Sequence, residues 1–265
     1  MKKQYQDKDT LFDDSDEVLL PTALATMSGA AMNVLYHQTK KIMGRMVDYK
    51  ELRMIYACAM KEIKTKFDIL NTEFNLQYHR NPINSIQTRL KSTSSIIEKL
   101  AKLNMPVDIE NIDEHIHDIA GVRVICSYID DVYLVAEALL KQDDITLVTR
   151  KDYIANPKEN GYRSLHLIVK VPVFLSERRL EMEVEVQLRT IAMDFWASLE
   201  HQLHYKTDFD GKDELVDELR KCAETISRTD SEMMQIRSKM ETLIDIPSED
   251  EILFERIRKL DTPIE

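Results

Sequence analysis

Leu180–Arg189 reads LEMEVEVQLR, ten residues in which apolar and polar side chains alternate almost without fault. A period of two is the strand period. It sets Met182, Val184, Val186 and Leu188 on one face and Glu181, Glu183, Glu185, Gln187 and Arg189 on the other. A strand with one apolar face needs a covered sheet to sit in, and the segments around it supply the partners. Going outward, Arg163–Val171 (RSLHLIVKV) predicts a strand entered from an Asn160-Gly161 turn, and Ile145–Arg150 predicts another. Ile119–Tyr128 (IAGVRVICSY), rich in β-branched residues, predicts a buried strand, and Val132–Leu140 has helical spacing. Strands with helices between and around them give an α+β fold, a mixed sheet covered by helices.

The flanks are helical. Tyr49, Leu52, Tyr56, Ala59, Ile63, Phe67, Leu70 and Phe74 recur at gaps of three and four, which predicts a long helix over 45–76, broken by Asn81-Pro82. A weaker helical pattern covers 21–40. Downstream, helices are expected over 191–206 and, after Gly211, over 212–244. In the second of these Leu215, Leu219, Cys222, Ile226, Met233, Ile236, Met240 and Leu243 follow heptad spacing, with Thr229 filling one place. Such a face packs on its own domain or on a neighbouring subunit, and spacing does not separate the two. The expected organisation is a flexible acidic extension over 1–40, one domain over 41–245 including its flanking helices, and a tail over 246–265.

Composition narrows the function. With 36 Lys and Arg against 47 Asp and Glu, the net charge of −11 argues against a general nucleic-acid coat or a binder of anionic membranes. The 43% hydrophobic content is enough for a folded core. No uncharged apolar run approaches the length of a membrane span, and the first residues (MKKQYQDKDTLFDDSDE) lack the apolar stretch of a secretory signal. Cys58, Cys126 and Cys222 show no metal or disulfide spacing and suit a reducing cytoplasm. Neither G-x-x-x-x-G-K-[ST] nor G-x-G-x-x-G occurs.

Several residues could carry chemistry. Alternation alone makes Glu185 an ordinary solvated strand residue more often than a carboxylate aimed into a cleft. Asp118, at the start of Ile119–Tyr128, reads equally as a strand-end residue. Two carboxylates on neighbouring strands would suit a hard cation such as Mg²⁺ together with substrate phosphates. His117-Asp118 also fits part of an HD-type phosphohydrolase site, and His115/His117 or Glu200/His201/His204 have spacings zinc can use, although scattered histidines are more often surface or cap residues. Arg89, Lys91 and Lys99 surround a helix start at Ser92–Ser94, either a phosphate site or a solvated, Ser/Thr-capped turn. The loop KDYIANPKENGYRS (Lys151–Ser164) holds tyrosines, cations and amides, so Tyr162 reads either as a base-stacking ring or as packing.

Four ordered stretches carry a resemblance: R-x-K-S…S-I-x-x-K (Arg89–Lys99), HDIAGVRVI (His117–Ile125), KDYIANPKENGYRSLH (Lys151–His166) and EVQLRTIAMDFWASLEH (Glu185–His201). Together they are similar to the synthetase domain of the RelA/SpoT family, and the chain resembles a small alarmone synthetase over about residues 45–240. The resemblance implies a nucleotidyltransferase-like mixed sheet of about five strands and a GTP pyrophosphokinase. In that reaction the β,γ-pyrophosphoryl group of ATP passes to the 3′-hydroxyl of GDP or GTP, and AMP leaves. By the same likeness Asp118 and Glu185 are the Mg²⁺-binding and catalytic acids. Arg89 and Arg123 sandwich adenine, and Lys91, Ser95 and Lys99 serve the ATP phosphates. Lys151, Lys158, Asn160, Tyr162 and His166 surround the acceptor, with Tyr162 stacking on guanine, while Gln187 and Arg189 orient phosphate or other site residues. A homotetramer, synthesis without hydrolysis, independence of the ribosome and a cytoplasmic location are further expectations. The competing readings are an alarmone hydrolase built on His117-Asp118 and a non-catalytic nucleotide or RNA binder.

Overall fold

The computed structural model describes residues 29–77, 80–204, 212–243 and 257. The chain divides into two compact units, Met1–Lys50 and Glu51–Glu265. The first is helical from Gly29, and its described side chains are exposed apart from half-buried Tyr49. That helix, α1 (Gly29–Gln77), runs on into the second unit, so the 45–76 pattern and the later part of the 21–40 pattern form one helix. The acidic first 20 residues and, residue 257 aside, the 246–265 tail fall outside the described residues.

Within the second unit, α1 buries Tyr56, Ala59, Ile63, Phe67, Leu70 and Phe74, the stripe expected from the gaps of three and four. Next come β1 (Ile83–Leu90), α2 (Thr93–Lys102), α3 (Ile109–His115), β2 (Ala120–Cys126), α4 (Ile129–Leu140), β3 (Thr146–Asp152), β4 (Leu165–Phe174), β5 (Arg179–Thr190), α5 (Ile191–His204) and α6 (Lys212–Leu243). The expected α+β architecture is present: one five-stranded sheet in the order β1-β2-β5-β4-β3. The central pair β2–β5 is parallel and the other pairs are antiparallel, so the sheet is mixed. β1 was not among the strands expected from sequence. Its residues, INSIQTRL, are mostly polar because it is an edge strand with only Ile83 fully buried.

β5 behaves as its alternation requires. Met182, Val184, Val186 and Leu188 are buried, while Glu183, Glu185 and Gln187 are half-buried on the opposite face. Each fully buried Val or Leu contributes about 1.5–3 kcal/mol, so a charge at Val186 would unseat the strand. α4 and α5 both pack on β2 and β5. α2 starts where the hydroxyls predicted, with the Ser92 side chain accepting from the Ser95 N–H. α6 resolves the heptad question in halves. Leu219 and Ile226 pack with Trp196, Ala197 and Ala223 of their own unit, whereas Met233, Ile236 and Met240 are exposed. Arg237 of α6 pairs with Asp130, and its guanidinium and that of Arg80 both stand over the Tyr128 ring, at 4.7 and 4.9 Å. Among the described residues no helix is long and apolar enough to cross a membrane.

Candidate active site

The sheet register lays two rows of residues across one face. In the first, Arg89 stands opposite Gly121, Gly121 beside Glu185, Glu185 opposite Ile168, and Ile168 opposite Thr149. The second row runs Gln87, Arg123, Gln187, His166 and Lys151. Because Gly121 has no side chain, the floor between Arg89 and Glu185 stays open. A cavity of about 440 Å³ lies there, with Arg89, Lys91 and Arg123 as its cations and Asp118 and Glu185 as its acids. A second cavity, about 220 Å³, lies toward β3 and is lined by Thr149, Lys151, Tyr153, Lys158 and His166. Glu185 lines both cavities.

The two acids are held differently. Asp118 Oδ2 is 2.7 Å from Lys91 Nζ and Oδ1 is 2.8 Å from Lys99 Nζ. Burial pushes the Asp118 carboxyl up, but the hydrogen bonds and charges of the two lysines outweigh it and hold it below its ordinary range. Glu185 Oε2 accepts from Gln187 Nε2 at 2.8 Å, and Oε1 lies 3.2 Å from His166 Nδ1. Burial and the nearby Asp118 charge push Glu185 up, but His166 and Gln187 prevail and lower it. Both carboxylates are therefore ionised at neutral pH, and they are near enough for each to feel the other's charge.

The other residues picked out from sequence occupy graded positions. Arg89, Lys91 and Arg123 line the larger cavity, whereas Lys99 meets Asp118 without lining it. Ser95 sits in the α2 cap, its Oγ 2.9 Å from Ser92 Oγ. Lys151, Lys158 and His166 line the smaller cavity. Asn160 is turned away from it: its side-chain oxygen accepts from the Tyr162 N–H, and its amide donates to Glu200. Tyr162 stands behind the wall, its Oη 2.8 Å from His166 Nε2 and in hydrogen bond with Arg189, with Lys158 Nζ 4.9 Å from the ring centroid. Gln187 borders the larger cavity, and Arg189, two residues on along the same face of β5, lies buried beside it.

Sequence reasoning did not single out Gln87, Thr88, Thr149 or Ile168, nor Tyr153 beyond its place in the loop. Gln87 shares a strand face with Arg89 two residues on, a signal usable only once β1 is recognised. His117 hydrogen-bonds Glu183 at 2.7 Å, and among the described residues no group of three or more His, Cys, Asp or Glu could hold a metal ion. An HD-type hydrolase centre on His117-Asp118 finds no support there.

Comparison with known proteins gives the family and the fold. The family described as a region found in RelA/SpoT proteins matches residues 88–210. The GTP pyrophosphokinase YwaC of Bacillus subtilis is 45% identical over 196 residues, spanning 74% of this chain and 93% of that protein. The crystal structure of small alarmone synthetase 2 from Bacillus subtilis superposes with a TM-score of 0.66 at 45% identity, covering 72% of this chain and 99% of that one. Small alarmone synthetase 1 from the same organism, bound to its product pppGpp, superposes at 0.67 with 35% identity, covering 73% and 98%.

Proposed function

The chain belongs to the RelA/SpoT family and is a GTP pyrophosphokinase of the small alarmone synthetase kind, and from that premise we propose an assignment of its two cavities: ATP in the larger, GDP or GTP in the smaller. The reaction moves the β,γ-pyrophosphoryl group of ATP onto the acceptor's ribose 3′-hydroxyl and releases AMP. The observation that carries the assignment is that Glu185 lines both cavities. A transfer between two nucleotides needs a shared wall where the attacking hydroxyl meets the donor phosphates, and an ionised acid stands there.

On the donor side Arg89 and Arg123 offer planar guanidinium groups for the adenine ring, and Lys91 and Lys99 offer ammonium groups for the phosphates. Both lysines pair with Asp118. Binding of ATP is then an exchange in which the lysines pass from a carboxylate to phosphates. The residues fit Mg²⁺, because Asp118 and Glu185 present hard oxygen donors to one cavity and Mg²⁺ commonly takes one or two carboxylates with the rest from phosphates and water. An ion held there would neutralise charge on the transferring group. On the acceptor side, a guanine that stacks on Tyr162 displaces Lys158, which lies over the rings of Tyr153 and Tyr162 at 4.8 and 4.9 Å, and the freed ammonium can meet the acceptor's phosphates. Lys151 and His166 stand beside it. Asn160 would read the base from the loop, and Ser95 would donate near the ATP phosphates. Glu185 either accepts the hydroxyl proton or ligates the ion; both duties need the ionised carboxylate.

A homotetramer is proposed with the same reading. The exposed Met233, Ile236 and Met240 on α6, and separately Ile42, Met43, Met46 and Val47 on α1, are apolar surface suited to contacts between copies. Independence of the ribosome and a cytoplasmic location complete the proposal. Incubation with ATP, Mg²⁺ and GDP or GTP, followed by separation of products, tests it. The expected products are AMP and a guanosine nucleotide bearing pyrophosphate at the 3′ position. Absence of AMP with either acceptor, or release of pyrophosphate from added pppGpp, would overturn it.

A further inference from the structure

Arg189 is a buried guanidinium, its side chain 5% exposed, and its partners form a closed circuit under the site. Its Nη2 donates to Gln187 Oε1 at 3.0 Å and to Tyr162 Oη. Gln187 Nε2 donates to Glu185 Oε2, and Tyr162 Oη bonds His166, which in turn reaches Glu185 Oε1. Both oxygens of Glu185 are thus located by one cation acting along two routes, through Gln187 on one side and through Tyr162 and His166 on the other. A buried charge needs a counter-ion. Asp194, in the first turn of α5, supplies it: its Oδ1 accepts from Arg189 Nη1 at 3.2 Å.

The same oxygen lies 3.4 Å from Arg123 Nη1. Arg123 lines the larger cavity and comes from β2, two strand positions from Gly121. Its Nε is buried without a hydrogen-bond partner, so Asp194 is the carboxylate that fixes the group from the protein side. Arg123 and Arg189 repel each other, and the shared anion between them offsets that repulsion. We propose that Asp194 is a positioning residue that couples the two nucleotide cavities, one carboxylate oxygen holding the guanidinium of the donor wall and the guanidinium that organises the acceptor wall. Engaging Arg123 with a base changes how the Asp194 charge is shared and so changes how firmly Arg189 holds Tyr162 and Gln187. The inference rests on the assignment of ATP and guanine nucleotide to the two cavities.

Calorimetric binding of α,β-methylene ATP, with and without saturating GDP, tests both levels separately. In the unaltered chain each nucleotide binds, and GDP changes the affinity for the ATP analogue about fivefold or more, within the usual range of coupling between ligands. Failure of either nucleotide to bind would sink the cavity assignment itself. If both bind without influencing each other, the coupling proposal falls and the assignment stands. Asp194→Asn is expected to weaken both nucleotides about five- to tenfold and to bring the coupling factor to about one. Arg123→Gln, at a half-exposed position that does not threaten folding, is expected to weaken the ATP analogue, leave GDP affinity within about twofold, and also abolish coupling. Coupling that survives in either variant would overturn the proposal, because a residue that merely stabilises the fold leaves that ratio unchanged.

Discussion

The two cavities share Glu185 but are organised by different physics. Around the larger one the decisive contacts are exchangeable charges. Asp118 is neutralised by Lys91 and Lys99, whose side chains are 19% and 39% exposed and end in freely rotating ammonium groups. The smaller cavity is backed by fixed structure. Arg189 is buried with each partner in place, and Gly161 holds φ at +88° with its backbone pressed on α6, where an added Cβ would lie 2.5 Å from Ala223 Cβ. One wall can trade a carboxylate for a polyphosphate without rebuilding anything. The other presents rings already set in place, two tyrosines and a histidine in edge contact, with Lys158 alone to be displaced from them. A pyrophosphoryl donor and a base-bearing acceptor place these two different demands on a protein.

The largest expected effect comes where the difference vanishes, at the shared acid. Glu185→Gln should lower turnover about 10²- to 10⁴-fold, the scale of a lost acid–base group, while the chain still unfolds in one cooperative transition. AMP release near the unaltered rate would break the shared-wall reading. Lys91→Ala should act on one side only. A hydrogen bond to a charged group is worth about 1.5–3 kcal/mol, so kcat/KM for ATP should fall about 10- to 100-fold with acceptor KM unchanged. Equal losses for both nucleotides would erase the distinction drawn above. Gly161→Ala probes the preformed side. A side chain at positive φ costs roughly 1–2 kcal/mol, and here it also meets Ala223, so the loop or α6 must shift. The expected outcome is a lower unfolding midpoint and an acceptor KM raised about tenfold, with ATP KM unchanged.

That asymmetry also decides how much was visible beforehand. The alternation in LEMEVEVQLR placed Glu185 and Gln187 on one face of β5, and side-chain period is enough for that. Arg89, Lys91 and Lys99 showed as a basic cluster beside a Ser/Thr cap because electrostatic sites advertise themselves in composition. The strand carrying Arg89 did not, since an edge strand with one fully buried residue has no apolar pattern to read. The fixed side was harder still. Tyr162 looks like an exposed ring after a turn, and only the packing of Gly161 on Ala223 and the reach of Arg189 set it behind the wall. Asp194 is unremarkable in sequence, an acid in the first turn of a helix where the dipole favours one. Its bond to guanidinium groups from two different strands exists only once β2 and β5 lie side by side.

The smallest effect concerns what lies behind the fixed side. Asp230 of α6 is 6% exposed and accepts a 2.6 Å hydrogen bond from Thr190 Oγ1 where β5 passes into α5. Burial lifts its carboxyl above the ordinary value of 3.8, more than the Thr190 bond lowers it. The folded chain therefore keeps this proton to higher pH than the unfolded chain does. The stability Asp230 contributes is present below 3.8 and is lost as pH rises through its raised value. Asp118 and Glu185 run the opposite way. Their lowered values contribute stability above the ordinary 3.8 and 4.5, and that contribution is lost as pH falls through their folded values. Asp230→Asn keeps an oxygen for Thr190 and removes the titration. It should raise the unfolding midpoint at pH 7 by about 2–4 °C for each kcal/mol that ionisation costs, and the gap should close as pH falls toward 3.8. A midpoint lowered at pH 7, with the gap closing in acid, would mean that the ionised form is the one the α5–α6 seat requires. A raised midpoint joined to a tenfold higher acceptor KM would extend the preformed wall through α6 to Asp230, because a change in that seat would then move the loop that Gly161 anchors.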